Sequence, residues 1–489
     1  MERTEIAVLG AGPSGIGSAL RLLETGHHDF LVIDAADVPG GLASSAIDSH
    51  GFTWDFGGHV QFSHYAKFDQ YMDLALPPED WLWHERESWI WIKNRFVPYP
   101  FQNNLHRLDP EDRWNAISGL MSAHQNHHEG APAHFADWIL QRFGPGIASL
   151  FLIPYNRKVW AHPLEQLDFR WVGERVAVPS LEAAIRSICL NQDQVSWGPN
   201  RRFRFPRRGG TGAIWRSLGA RIPQANLRLR STVASIDSAA RIICMSDGRM
   251  LGYETLINTA PLNWLARVTG NAGLTVWTDG LKSSTVHVIG IGLRGQPPSS
   301  IGKMCWMYFP EADSSFYRVT VFSNYSPENV PELGSTWSLM AEVSETPHRP
   351  VDRSGLVDRV IREMVALGLI SDPSMVLSRF HKILNPGYPT PSTERDAILT
   401  AVLPALEDQR IYSRGRFGAW KYEVSNQDHA FMQGVEVVDR ILTGAAEPTL
   451  TCPDLVNQGY NPVPQNQERA CMKDLPFYNE AVTSQAGRI

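Results

Sequence analysis

A chain of 489 residues is too long for one ordinary hydrophobic core and implies two or three domains. Its 43% hydrophobic and 20% charged content is that of a globular protein and excludes a disordered or fibrous one. A formal net charge of −6 gives no global attraction to nucleic acid or an anionic membrane, so any polyanion must be held by a local cluster of Arg.

Residues 5 to 34 read as a strand–helix–strand unit. A short apolar strand, Ile6-Ala-Val-Leu9, runs into glycine, then the amphipathic run SALRLLETG, then a second strand, FLVID. Gly10-Ala-Gly12-Pro-Ser-Gly15 therefore follows a predicted strand and opens a predicted helix. Gly10 permits the tight turn, Gly12 lets the backbone approach a pyrophosphate, and Gly15 allows close helix–strand packing. The exposed N–H groups and the positive helix end then hold the diphosphate. Asp34 closes the second strand, where an acidic residue would bind the ribose hydroxyls of a dinucleotide. Spacing alone does not choose between NAD and FAD.

Further along, residues near 105 to 190 are expected to be mainly helical, with starts at Asp109-Pro110 and Pro179-Ser180. From 228 to 259 the pattern switches to strands, LRLRSTVASI, RIICM and TLINTA, and strand alternation returns in VHVIGIGL, CWMYF and YRVTVFSNY. Two more helices are expected, within SGLVDRVIREMVALGL and DHAFMQGVEVVDRILTG; residues 451–489 read as a loosely packed tail.

The five cysteines (Cys189, Cys244, Cys305, Cys452, Cys471) are odd in number and form no CxxC pair. That argues against a disulfide framework or a zinc site and fits a reducing compartment. A strand begins where a secretory signal would lie, and the longest apolar runs fall far short of the ~20 residues of a membrane span. A cytoplasmic protein that engages neither membrane nor nucleic acid is the expectation.

Gly40-Gly41-Leu-Ala after the acidic residue, and the strand TLINTAP ending near Pro261, resemble flavoproteins of the two-dinucleotide-binding fold. Nine further segments together closely resemble eukaryotic, particularly fungal, UDP-galactopyranose mutases. They are GGHVQFSHY from Gly57, VPYPFQNN from Val97, PYNRKVWA from Pro154, VGERVAVP from Val172, WGPN from Trp197, FPRRGGTGAIW from Phe205, FYRVTVFSNYSP from Phe316, PGYPTP from Pro386 and RGRFGAWKYEVSNQDH from Arg414. The likeness runs from about residue 5 to about residue 450.

The resemblance implies an α/β fold: a discontinuous Rossmann-like FAD-binding domain (1–84, 200–284 and 389–450), an inserted helical domain (105–199) for substrate binding and oligomerisation, and an antiparallel sheet domain (85–104 and 285–388). It implies an isomerase that interconverts UDP-galactopyranose and UDP-galactofuranose, for galactofuranose biosynthesis and the cell wall. The N5 of reduced FAD would act as nucleophile at the anomeric carbon, with no net redox. NADPH or NADH would be the reductant, and a homo-oligomer is expected.

Residue roles follow the matched segments. Arg175 and Arg318 would clamp the diphosphate, since the planar guanidinium fork donates paired bonds to phosphate oxygens. Tyr325, Tyr388 and Tyr422 would add phenolic hydroxyls. Tyr99, Phe101, Gln102, Phe151, Asn156 and Trp160 would form the uridine pocket, and Asn200 would lie near the sugar on a mobile loop. His59 would sit beside the isoalloxazine. FAD would be held by Gly10, Gly12, Gly15, Asp34, Gly40, Gly41, Gly58, Arg416, Asn426 and Gln427, with Asp428 also preceding a helix whose positive end faces the reduced ring. Arg86 and Ser88, with Tyr308 at the shared pocket, match NAD(P)H positions. Ser425 stands where the relatives carry Gly; Ser tolerates positive φ less well, so local flavin contacts are expected to differ.

Two other signals carry less. His124, His127, His128 and His134 occupy a polar stretch with one clean i, i+4 pair, and no metal role is expected. The basic run Arg201 to Arg208 lacks the aromatic platform of an RNA site. The remaining alternatives are a divergent mutase on another UDP-sugar, an FAD-dependent amine oxidase on the same scaffold, and a catalytically silent flavin-binding partner.

Overall fold

The computed structural model describes all residues except 126–129, 174, 177, 179, 196–200 and 459–489. The N-terminal strand Glu2–Leu9 is apolar and buried along its second half, and it lies at the centre of a seven-stranded sheet. Phe30–Ile33 and Met250–Asn258 flank it, both parallel to it. Ile411–Ser413 adds a further parallel strand, and Val233–Asp237 with Ile242–Met245 extends the sheet as an antiparallel ribbon. The expected α/β fold is met, with a parallel Rossmann-like centre to this sheet.

Two helices cover this sheet near its functional end, Pro13–Glu24 and Gln427–Thr443. They cross at a glycine contact. A Cβ on Gly434 would lie 2.0 Å from the Ser14 carbonyl oxygen, and the Ser18 hydroxyl donates to Gly434 O at 3.0 Å. Only glycine permits that approach, so the middle of the second helix is held against the first turns of the first.

A second seven-stranded sheet runs in the order Val376–Pro389, Ser283–Arg294, Thr336–Glu345, Arg318–Val321, Trp306–Tyr308, Ser88–Ile92, Arg95–Pro98. One pairing departs from the antiparallel pattern: Ser88–Ile92 lies parallel to Trp306–Tyr308. Phe52 and Trp54, both fully buried, pack on this second sheet, their rings occupying the space left above Gly292 and Gly290. Truncating a tryptophan packed this way costs about 3–5 kcal/mol.

The segment near 105–190 is helical, with Pro110–Gln125, Phe135–Ile147, Ile153–Trp160 and Leu181–Leu190, the last capped by Ser180. Residues 453–457 depart from the loose tail expected of 451–489. They form a short helix in which Val456 and Asn457 are buried, and Asn457 Nδ2 donates to Glu423 O at 3.1 Å. The rest of that tail lies outside the described residues. Cys189, Cys244, Cys305 and Cys452 are free thiols. No helix among the described residues is long and apolar enough to cross a membrane.

Candidate active site

Strand Glu2–Leu9 ends at Gly10, whose φ of +100° turns the chain into the helix that follows. A Cβ on Gly15 would lie 1.8 Å from the Gly10 carbonyl oxygen, so helix and strand touch there. At Gly12 the protein leaves space: the nearest atom to an added Cβ is Gly41 Cα at 3.9 Å. Gly40 N donates to Ala11 O at 2.8 Å, so the two glycine turns face one another. The Asp34 carboxylate accepts from Ala11 N at 2.6 Å and Ala36 N at 2.7 Å, which fixes it beside the loop. This backbone cradle, free of side chains and bounded by an acid, fits the diphosphate and ribose of a dinucleotide.

Across the second sheet three chemistry-bearing residues stand in register. Tyr308 pairs with Arg318, and Arg318 pairs with Glu342. Cross-strand neighbours in register point to the same face, so a phenol, a guanidinium and a carboxylate form one row. Arg318 Nη2 donates to both Glu342 oxygens, at 2.6 and 2.8 Å, and Nε donates to Oε1 at 3.0 Å. Glu342 also accepts from Tyr317 OH at 2.6 Å and Gly58 N at 3.1 Å. Burial works against the charge on Arg318, but Glu342 and the surrounding tyrosines outweigh it and hold its pKa above the usual value.

Facing this row is a floor of aromatic rings. Tyr388 lies 5.9 Å from Tyr422, and Trp160 lies 4.8 Å from Tyr422 and 6.1 Å from Tyr388. Arg175 sits 5.9 Å over Tyr422 and donates to the Glu423 carbonyl. Arg416 sits 5.0 Å over Tyr388; its guanidinium donates to Ser425 O (3.2 Å), Ser425 Oγ (3.0 Å) and Gly387 O (3.1 Å), all neutral acceptors. Burial lowers its pKa. Ser425 has φ −120°, so no positive φ is required of it. Its hydroxyl instead donates to Tyr422 O at 3.0 Å while accepting from Arg416.

The pocket expected for uridine is continuous. Phe101 lies 5.2 Å from Phe151, Phe151 lies 5.3 Å from Tyr155, and Tyr155 lies 5.3 Å from Tyr308. Tyr99 lies 5.8 Å from Tyr308, and Gln102 is buried beside Phe101. Arg86 donates to Ser88 Oγ and Tyr308 OH, both at 3.2 Å, and lies 4.8 Å over Trp306; it is half-buried and is not a solvated surface charge.

Several buried polar atoms around this space have no partner within the described residues: His59 Nδ1, Arg175 Nη1, Trp160 Nε1 and Tyr325 OH. Each such group costs about 1–3 kcal/mol when left unpaired, a cost that a bound molecule would relieve. Burial, with Arg416 and Arg318 adding to it against Glu342, pushes the His59 pKa down to about 4, so its imidazole is neutral at physiological pH. Burial also raises the pKa of Tyr155, Tyr325 and Tyr388, which keeps those phenols as donors.

Two of the amides picked from sequence also bond within the chain. The Asn156 amide donates to Leu152 O at 2.8 Å, which leaves its Oδ1 as an acceptor, and Gln427 Oε1 accepts from Trp215 Nε1 at 2.7 Å, which leaves its side-chain NH2 and backbone N–H as donors at the helix start. Asn426 supplies the extended residue before that helix. Asn200, His127 and His128 lie outside the described residues, whereas His134 caps the helix Phe135–Ile147 and His124 contacts Leu120 O.

Sequence reasoning missed Glu342, Tyr317 and Tyr155. It also missed the tie between His64 and Asp428, whose Oδ2 accepts from His64 N at 3.0 Å and pairs with Nδ1 at 2.7 Å. That tie holds the segment around His64 against the start of the helix Gln427–Thr443. His64, Asp428 and His429 have the atoms of a metal site, but His64 Nδ1 is engaged with the carboxylate and a helix N-terminus disfavours a cation.

The flavin-containing amine oxidoreductase family matches residues 13–442. Among solved structures, the chain is similar to a reduced UDP-galactopyranose mutase, with 44% identity over 93% of this chain and 97% of that one and a TM-score of 0.90. More distant likenesses are a putative protoporphyrinogen oxidase from Exiguobacterium sp. 255-15 (15% identity, 90% and 98% covered, TM-score 0.69) and a putrescine oxidase bound to putrescine (13% identity, 90% and 99% covered, TM-score 0.60). These two share the fold alone.

Proposed function

The chain belongs to the flavin-containing amine oxidoreductase family and, within it, to the UDP-galactopyranose mutases, and from that premise we propose how its site works. It is a flavin-dependent isomerase interconverting UDP-galactopyranose and UDP-galactofuranose without net redox. The observation that carries the reading is the set of guanidiniums on the walls of one aromatic space: Arg318 in register with Tyr308 and Glu342, and Arg175 and Arg416 over Tyr422 and Tyr388. An amine-directed pocket has no use for such cations, whereas a diphosphate has.

FAD, when bound and reduced, supplies the nucleophilic N5 that a redox-neutral exchange at an anomeric carbon requires. The chain's own residues do the rest. Arg175 and Arg318 hold the departing diphosphate close enough to recombine, and Tyr325, Tyr388 and Tyr422 donate phenolic bonds to it. Tyr99, Phe101, Gln102, Phe151, Asn156 and Trp160 enclose the uridine. His59, neutral at physiological pH, offers a hydrogen bond at the flavin in place of a charge. We assign the fungal-type branch, cytoplasmic location, a role in supplying galactofuranose to the cell wall, and NADPH or NADH as reductant at Arg86, Ser88 and Tyr308.

Conversion should therefore depend on reduction. UDP-galactofuranose incubated with dithionite-treated enzyme should yield UDP-galactopyranose by chromatography, and oxidised enzyme should yield essentially none. Equal conversion by both forms, or amine-dependent oxygen consumption without isomerisation, would sink the reading.

Glu342→Gln keeps the shape of the row but removes its negative charge. Arg318 then loses its bidentate partner, so turnover should fall about ten- to a hundredfold. The flavin spectrum should stay intact, because Glu342 acts through Arg318 and Gly58 N. Steady-state kinetics beside the absorbance spectrum checks this; unchanged turnover would leave Glu342 a packing residue.

A further inference from the structure

The helix Ile153–Trp160 and the turn before it present a second stripe. Phe151 and Tyr155 face the nucleotide wall, whereas Leu150, Pro154 and Lys158, spaced at i, i+4, i+8, line a separate cavity of about 550 Å³. None of the residues assigned above to flavin or substrate lines it. Pro310, Ile92 and Leu150 give it apolar walls, and Lys158 and Arg349 put two cations into it.

Both cations have only neutral partners. Lys158 Nζ donates to Glu311 O at 2.8 Å and Ser314 Oγ at 3.0 Å. Arg349 donates to Lys158 O at 3.2 Å and Ser315 O at 3.1 Å. Nearby acids are engaged with other donors: Glu363 accepts from Ser315 N at 2.8 Å and Ser315 Oγ at 2.6 Å, and Glu311 accepts from Lys93 N at 3.0 Å. Neither cation makes an ion pair among the described residues. Lys158 is buried and Arg349 partly so. Asp313, Glu363 and Glu311 act on Lys158 from nearby, and Glu363 on Arg349, but without ion-pair contact among the described residues, and a bound anion would supply that contact.

We propose that this cavity is a second ligand site, for a small phosphomonoester whose phosphate is held by Lys158 and Arg349 and whose body lies on the apolar walls. The volume suits a body beyond a bare phosphate. Because the same helix carries Tyr155, Asn156 and Trp160, an occupant here bears directly on the nucleotide wall. Burial and then Arg349 push the free Lys158 ammonium down to about 7. A bound phosphate favours the charged amine, so binding above that pH takes up a proton and weakens as pH rises. The other charged groups facing Lys158 are Asp313, Glu363 and Glu311.

The test uses FAD-loaded enzyme saturated with UDP, so that the diphosphate site is filled. Phenyl phosphate is titrated calorimetrically, with inorganic phosphate in a parallel arm. We expect one additional site, weaker at pH 8.5 than at 7, and weakened at least about tenfold by Lys158→Met and less by Lys158→Arg. Inorganic phosphate binding as well as phenyl phosphate would support the anion site with the free ion as its ligand. No heat beyond the UDP site, or binding unaffected by Lys158→Met, overturns the proposal. Selenate soaked into UDP-bound wild-type crystals gives a reading that needs no variant: an anomalous peak between Lys158 Nζ and Arg349 supports the site, and its absence overturns it.

Discussion

Arg318→Ala should lower UDP-galactofuranose turnover about a hundred- to a thousandfold, the range for removing one preorganised charge from a reacting centre, while the purified protein stays yellow. Flavin retention is expected because the glycine cradle and Asp34 lie on the other sheet. The substitution also leaves Glu342 with Tyr317 OH and Gly58 N but no cation. Breaking one side of a buried ion pair costs about 3–5 kcal/mol, so the variant should unfold at lower temperature. The pair Arg318→Ala and Glu342→Gln separates the two effects. The double variant should recover most of the lost stability and none of the turnover. Arg318→Lys should fall between, keeping the charge but losing the fork. If Arg318→Ala turns over normally, the diphosphate is not held there.

The contrast between what was and was not legible follows from how far apart the cooperating residues lie. The glycine loop, Asp34 and the aromatic segments are local patterns, each with its reason inside a dozen residues, and the fold class follows from them. Arg318 and Glu342 are joined by the pairing of two strands, and Gly58 bonds to Glu342 from 284 residues away in sequence. No spacing announces a contact made by sheet register. The same holds for His64 and Asp428, whose link was invisible although both lay inside segments singled out for other reasons. Ser425 failed differently. Glycine in relatives suggested a need for positive φ, but here the backbone is in an ordinary region and the hydroxyl has work of its own with Arg416. Asn156 and Gln427, assigned through the matched segments, each also make one amide bond within the chain, to Leu152 O and from Trp215 Nε1, which no local pattern announces.

The two glycines of the loop should fail in opposite ways when enlarged. Gly12→Val should give folded, colourless protein. Within the chain a Cβ there meets nothing nearer than 3.9 Å, so the fold tolerates it, but its branches project into the space where a pyrophosphate would meet the backbone N–H groups. Absorbance near the flavin bands should vanish, while circular dichroism and the unfolding transition keep their shape, apart from the stabilisation lost with the ligand. Gly15→Val should give little or no folded protein. Its Cβ would lie 1.8 Å from the Gly10 carbonyl oxygen and 3.5 Å from Val8 Cγ1, backbone against backbone, so strand and helix must separate at the centre of the sheet. Overpacking of a core costs about 1–3 kcal/mol even when side chains can shift, and here the obstructing atom belongs to the turn itself. A yellow Gly12→Val protein would mean that the diphosphate does not approach that backbone. A well-folded, flavin-replete Gly15→Val protein would mean that helix and strand are not held in contact by the missing side chain.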